Sequence, residues 1–400
     1  MRPAILLAAG FRPLFLLAAL WAIAPTLLWL GAYAGGLDLP VAPDALRWHA
    51  HEMLYGFALA GVGGFLLTAV PNWTKTPPPR GAALGALCAA WILGRGAMLA
   101  SAALPAALVA GLDLLFIPGL AMLLSPPIMR SRNRRNYIFP VLLGVLFATN
   151  SLGHLDTMGI VQGAHRLGLH LGIGVVLLMI VIVGGRIVPA FTRNALRKAG
   201  ASAEPRSRKS TGKLDVIVCG AALLAEALSL DPWIVTISAA SAMAILGWQL
   251  LGWQSRRTLH DPLLWSLHAG YLALVLGFAA QSVAAAQAIG APLAASAILL
   301  PSTALHVFTS GAIGIMLLSV MSRAALGHTG RPLRASRSMA LAYLLVIAGA
   351  SLRVLIPWLA PAQGLLGVIA GGAFWSLGFA IYLWAYLPIL LTPRADGRPG

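Results

Sequence analysis

The chain is 400 residues long, 59% hydrophobic and 10% charged, with a mean hydropathy of +0.84 and a net charge of +17. A bilayer core takes about 20 apolar residues per helix, so this composition excludes a soluble globular enzyme. It also excludes nucleic-acid binding as the meaning of the charge, which would need a soluble basic face; here the basic residues sit in gaps between apolar runs.

Apolar runs of spanning length occur at 14–34, 50–71, 81–103, 104–124, 138–154, 166–189, 214–230, 232–252, 263–287, 301–323, 339–358 and 365–391. The expected fold is all-α, a single integral membrane domain over 1–400 with about 12 transmembrane helices. Arg2 and Arg12, Lys75 and Arg80, Arg130 to Arg135, Arg193 to Lys213, Arg256 and Arg257, Arg323 to Arg337, and Arg394 and Arg398 occupy alternate gaps and hold 23 of the 28 Lys and Arg. Short loops rich in Lys and Arg stay in the cytoplasm, which places both termini there.

The run from Leu14 ends on Ala32-Tyr33-Ala34, a signal-peptidase-like sequence, but it is long for a signal peptide and reads as the first span. Three consecutive prolines in Asn72 to Arg80 form a stiff turn that no helix crosses. The only long polar interval, 190–213, reads as a basic cytoplasmic linker between two six-helix halves. Glycine patches such as Gly61, Gly63 and Gly64 permit close helix contact in lipid. Cys88 and Cys219 lie inside spans with no disulfide or metal spacing, and read as inert thiols.

Polar groups inside a membrane are costly and mark functional sites. His49 and His51 open span two at its outer end, His154 closes span five, His165 and His170 open span six, and His306 lies about 8 Å inside the outer end of span ten. A single histidine at a helix end is ordinarily satisfied by water. Six at one depth on four helices point to a metal centre, because imidazole is the commonest protein ligand for iron and copper and helical bundles build cofactor sites from facing helices. Haem, copper or both in the outer half of the bilayer is the expectation. The histidine-bearing spans two, six and ten lie four helices apart, a period that resembles the three four-helix arcs of haem-copper oxidases, although span seven lacks their adjacent His-His pair.

His49 and His51 point about 200° apart on a regular helix, whereas His51 and Tyr55 share a face. Glu52 is an embedded acid beside the expected metal, either a proton relay or a hydrogen-bond partner of histidine. His268 lies near the cytoplasmic end of span nine, as a ligand of a second haem or as a helix-to-helix hydrogen bond. His328 belongs to a cytoplasmic loop. Arg95 and Asp113, at similar depth on neighbouring helices, are expected to form an ion pair. Arg353 can hold a haem propionate through its bidentate guanidinium.

Several segments together resemble one family. They are Phe11-Arg12-Pro13-Leu14-Phe15, Trp48-His49-Ala50-His51-Glu52-Met53-Leu54-Tyr55-Gly56-Phe57, Gly64 to Val70, Gly184 to Thr192, Leu264 to His268, Leu305-His306 with Gly311 to Gly314, and Ser322-Arg323 with Leu326 to Arg331. They resemble the NnrS family of bacterial inner-membrane proteins. The resemblance implies a haem- and copper-containing protein, the haem expected as b-type, that protects cells from nitric oxide. It also implies His49, His51, His268, His306 and His328 as ligand positions; His154, His165 and His170 rest on depth alone.

The leading expectation is nitric oxide detoxification at a metal site, by reduction of NO to N2O with Glu52 and Tyr55 as catalytic residues. Electrons would come from quinol or a small carrier, since no CxxCH or nucleotide fingerprint is present. A non-catalytic NO-binding or iron-protecting haem protein is the second expectation, and a twelve-helix transporter the third. Nitric oxide, membrane lipid and the quinol or small electron carrier are the expected partners, and nucleic acid is not one.

Overall fold

The computed structural model describes residues 3–200, 204–206, 211–290 and 298–398. All regular structure among them is helical. After a short turn at Pro3–Leu6 come α1 (Phe11–Tyr33), α2 (Ala45–Thr74), α3 (Ala82–Leu99), α4 (Ala106–Arg130), α5 (Arg134–Thr157), α6 (Ala164–Lys198), α7 (Thr211–Ala227), α8 (Pro232–Gly252), α9 (Pro262–Ala288), α10 (Pro301–His328), α11 (Arg337–Leu359) and α12 (Pro361–Leu391). Eleven of these are long and apolar enough to cross a membrane. α7, at 17 residues, reaches the short end of the spanning range, about 17–25 residues. The chain is a polytopic helical membrane protein, as its hydropathy requires.

Helix starts follow local chemistry. Asp44, Asp231, Asp261 and Ser336 each accept a backbone N–H of the first turn of α2, α8, α9 and α11. Pro232 and Pro262 stand at the first helical position, where the missing N–H costs nothing. α2 stops at Lys75, in the left-handed conformation with φ 59°, just before the Thr76-Pro77 step.

Two helices change pitch. α2 is π-helical from Glu52 to Ala58 and α10 from Val307 to Ile313, and each π turn begins directly after a histidine, His51 and His306. Such turns insert an extra residue into the helix and re-aim its side chains.

The helices gather into two compact units: Met1–Val175 with Val320–Leu333 and Phe379–Gly400, and Val176–Ser319 with Arg334–Gly378. Segment 190–213 falls within the second unit, and its first part continues α6 through Lys198. Residues 201–203 and 207–210 of the expected linker lie outside the described residues.

In the first unit α1 packs on α2 where Gly64 lies under Phe15: a Cβ there would fall 2.8 Å from the ring. In the second, a Cβ on Gly270 of α9 would meet the backbone N of Met316 at 3.0 Å, and one on Gly349 of α11 the carbonyl of Gly371 at 2.7 Å. These are the small-residue crossings by which helices attract each other in lipid, where hydrophobicity gives no preference for protein over solvent.

Two of the sequence motifs close the first unit covalently distant from one another. Arg12 is fully buried, and its Nη1 donates to the carbonyls of Leu390 (2.8 Å) and Thr392 (2.9 Å) at the end of α12. Those carbonyls belong to the set a helix C-terminus leaves unpaired, where a cation is favoured. Arg331 donates to Thr392 Oγ1 (2.9 Å), Arg394 to the carbonyl of His328 (3.0 Å), and Ala395 N–H to the carbonyl of Thr329 (2.9 Å). Gly330 takes φ 69°, and a Cβ there would fall 2.5 Å from Asp396 Cγ. The hydrogen bonds of Arg394 bring the Asp396 carboxyl down to about 2, so this surface pair stays ionised at any ordinary pH while adding little stability.

Arg12→Ala is expected to lower stability by about 1.5–3 kcal/mol, the range for hydrogen bonds to a charged group. Thermal unfolding in detergent measures it, and Arg12→Lys should recover part of the loss.

Candidate metal and proton centre

Four helices of the first unit bring charged groups together inside the membrane span. The N-terminal part of α2 contributes His51 and Glu52, α3 Arg95, α4 Asp113, and the end of α5 Asn150 and His154. All six are buried. Alternating helix direction explains the meeting: the starts of α2 and α4 and the ends of α3 and α5 lie at the same end.

Arg95 is the hub. Its Nη1 donates to Glu52 Oε1 at 2.6 Å, and its Nη2 donates to Asp113 Oδ1. The expected Arg95–Asp113 pair is therefore present, with Glu52 as a second arm. Glu52 Oε2 accepts from the Trp21 indole of α1, and Glu52 Oε1 also accepts from His51 Nδ1 at 3.0 Å. Asp113 Oδ2 accepts from Asn150 Nδ2 at 2.7 Å, and lies 3.1 Å from His51 Nε2 and 2.8 Å from His154 Nε2.

The π turn makes the Glu52 contacts geometrically feasible. Gly56 lies on the same face as Glu52, and a Cβ there would collide with the Trp21 indole. The Gly56 carbonyl accepts from Trp91 Nε1 at 3.1 Å, and Trp91 in turn lies under the Arg95 guanidinium, 5.9 Å from its ring centre.

The surroundings of His51 set its chemistry. Asn150 turns its amide nitrogen to the Asp113 carboxylate, which leaves Asn150 Oδ1 facing His51 Nε2 at 3.0 Å. Both ring nitrogens of His51 thus face only acceptors: a carboxylate at Nδ1, and a carboxylate and an amide oxygen at Nε2. A neutral imidazole carries one N–H and would set a lone pair against an acceptor. The arrangement calls for positive charge at Nε2, as a proton or a metal ion. The charges agree, since two carboxylates face one guanidinium and one further positive charge makes the cluster neutral. His51 Nε2, His154 Nε2 and an Asp113 oxygen lie within 4.8 Å of one another, close enough to share one ion. With Nε2 on an ion, His51 Nδ1–H on Glu52 is the carboxylate–histidine pairing that orients a metal-bound ring.

The other expected site residues fall elsewhere. His49 turns away from His51, as its spacing requires, and stacks on Trp29 with ring centres 4.4 Å apart. Tyr55 keeps its ring 5.0 Å from that of His51, but its hydroxyl donates to Thr149 Oγ1 (3.0 Å), away from Asp113. His165 and His170 lie on the first turns of α6. The backbone N–H of His165 donates to Asp156, itself paired with Arg47 at 2.9 Å, and neither ring joins the cluster. His328 places its ring 5.8 Å from Phe11 beside the tail closure.

In the second unit both nitrogens of His268 meet hydroxyls, Thr192 Oγ1 at 2.9 Å and Ser255 Oγ at 2.8 Å. The helix-to-helix hydrogen bond is thus the arrangement found. His306 Nδ1 donates to the Ser302 carbonyl at 2.6 Å. Arg353 lies partly exposed on α11 beside Gly371 of α12.

Asn150 and Trp21 were missing from the expected site. Asn150 carried a usable signal, a lone amide in an apolar span four residues before His154 and hence on its face. Trp21 carried none, because its role depends on the π turn opposite.

Removing Arg95 leaves two carboxylates facing each other without a counter-charge. Arg95→Ala is expected to cost about 3–5 kcal/mol, the range for breaking a buried pair. The loss should appear as poor membrane insertion yield or a collapsed unfolding midpoint in detergent. The double variant Arg95→Leu with Asp113→Leu should be less damaging than the single one.

The model of the NnrS protein family matches residues 5–394 of the chain. No curated protein matches it significantly.

Proposed function

The chain belongs to the NnrS family and acts in the nitric oxide response, and on that premise we propose that it removes nitric oxide by reducing it at a metal ion held by His51, His154 and Asp113. The reaction is 2 NO + 2 e⁻ + 2 H⁺ → N2O + H2O. The observation that carries this reading is the His51 ring, whose two nitrogens face only acceptors in a cluster short of one positive charge.

The donor set of two imidazoles and one carboxylate fits a small ion such as copper, with open positions for a ligand. It does not fit haem: Asp113 and Asn150 lie within 3.1 Å of His51 Nε2, where a porphyrin would have to go. We assign the b-type haem to His306, whose Nδ1–H is held by a backbone carbonyl as in many metal-bound histidines. Bound there, these metals would supply the NO-binding positions and the one-electron steps.

The protein residues do the rest. Arg95 keeps Glu52 and Asp113 ionised inside the membrane, so that both remain acceptors for histidine. Glu52 accepts from His51 Nδ1–H through Oε1 and so fixes the His51 tautomer. Asp113 and Asn150 orient His51 and His154 toward a shared point. Trp21 and Trp91 close the cluster on the α1 and α3 sides. Electrons come from quinol or a small carrier. We place the protein in a bacterial inner membrane with both termini cytoplasmic, from the distribution of its basic residues.

The test is metal analysis of purified protein, with NO consumption and N2O release measured anaerobically, for wild type, His154→Ala, Asp113→Asn and Glu52→Gln. The two ligand variants should lose the ion and N2O release together, and Glu52→Gln should weaken metal affinity about 10–100-fold. NO binding with no N2O from any sample would select a non-catalytic NO-binding role. Metal-free wild type from cells given ample copper and iron would sink the metal reading.

A further inference from the structure

The second unit holds another buried acid, and its surroundings differ from those of Glu52 and Asp113 in one decisive respect. Asp215, near the start of α7, is 5% exposed. Its Oδ2 accepts from the Gln249 side-chain amide of α8. Gln249 Oε1 accepts from the Tyr271 hydroxyl of α9 at 3.3 Å, so one bridge crosses three consecutive helices. Asp215 Oδ1 is buried and has no hydrogen-bond partner.

No counter-charge comes from the helices packed around it. α8 carries no Asp, Glu, Lys, Arg or His over 232–252. On α7, Cys219 follows one turn later, fully buried, and Lys213 points into the exposed region. From α9 come Tyr271 and, further along, His268, whose two nitrogens are taken by Thr192 and Ser255. Arg193 and Arg197 of α6 pair with Glu204 instead. Arg206 is exposed and meets the end of α8 through its backbone N–H. Among the described residues, no cation pairs with Asp215.

A carboxylate inside a membrane needs its charge paired or both oxygens solvated, and Asp215 Oδ1 has neither. A metal ion does not resolve this, because Asp215 belongs to no group of metal-ligating side chains among the described residues. A proton does: the neutral acid carries no charge, and its Oδ2 still accepts from Gln249.

We propose that Asp215 is a proton-binding site, a carboxylic acid that carries its proton inside the span and exchanges it at the end of α7 that adjoins the basic segment 193–213. On release the O–H bonding pair stays on Oδ1 and the proton passes to water at that end; uptake reverses the step, and no electron moves. Embedded acids with this property form the proton-uptake steps of membrane relays. The site stands independently of the metal reading in the first unit, and its test reads protonation, not NO turnover.

The test is infrared spectroscopy of purified protein, wild type minus Asp215→Asn, in H2O and D2O. The expected difference is a carbonyl-stretch band of a neutral carboxylic acid, present in wild type, absent in the variant and moved to lower frequency in D2O. Asn mimics the neutral acid, so the variant should unfold at an unchanged temperature. Dicyclohexylcarbodiimide, which adds to protonated carboxyls in apolar surroundings, should give a mass adduct on the Asp215 peptide and none on those of Glu52 and Asp113. Should Asp215→Asn fail to fold, Asp215→Glu should shift the band. A spectrum in which the variant removes or moves carboxylate bands and no carboxylic acid band overturns the proposal.

Discussion

The Arg95 fork between Glu52 and Asp113 is the interaction on which the first unit depends. Two carboxylates, a guanidinium and two imidazoles lie buried within helices of membrane-spanning length, and each alone would be costly there. Arg95 makes them jointly tolerable because a guanidinium presents two donors in one plane, one arm for each acid. Lysine would offer a single point of charge. With both acids held by Arg95, the histidines have fixed partners to turn toward, and α2, α3, α4 and α5 are tied at one end by a network that hydrophobic packing could not specify.

A buried network of this kind is poor evidence for stability in itself, since well-packed apolar side chains often do as well. The cluster holds one more negative charge than its guanidinium offsets, and Asn150 turns its amide oxygen to His51 Nε2. The second unit handles its buried acid in the opposite way. Asp215 meets an amide and a phenol and no guanidinium, so charge is avoided instead of balanced. One chain thus uses both solutions open to an acid in a membrane, pairing in one unit and neutralisation in the other.

Backbone irregularity serves the same ends. The π turn after His51 sets Gly56 where Trp21 can reach Glu52, and the one after His306 follows a ring already oriented by a backbone carbonyl. Each adds one residue to a turn, and the glycines beside it accept the neighbouring rings that this displacement brings in. Glycines elsewhere serve packing, as at Gly270 and Gly349, where backbone approaches backbone.

What the sequence by itself determined is whatever depends on transfer from water to lipid. Hydropathy settled the class and nearly every span, because about 20 apolar residues in succession have no other stable home. Helix alternation put Arg95 and Asp113 at one depth and made their pairing legible, and the angular step of a helix foretold that His49 and His51 would diverge. Depth is a single coordinate, however, and six histidines at one depth need not meet. Only the tertiary structure decided that His51 and His154 converge on Asp113, that Tyr55 turns its hydroxyl to Thr149, and that Phe11-Arg12-Pro13 and the segment around His328 hold the chain's end. Those outcomes depend on which helices are neighbours, on rotation about each helix axis and on a π turn of one extra residue. Apolar composition constrains none of the three, because lipid solvates every face of an apolar helix equally well.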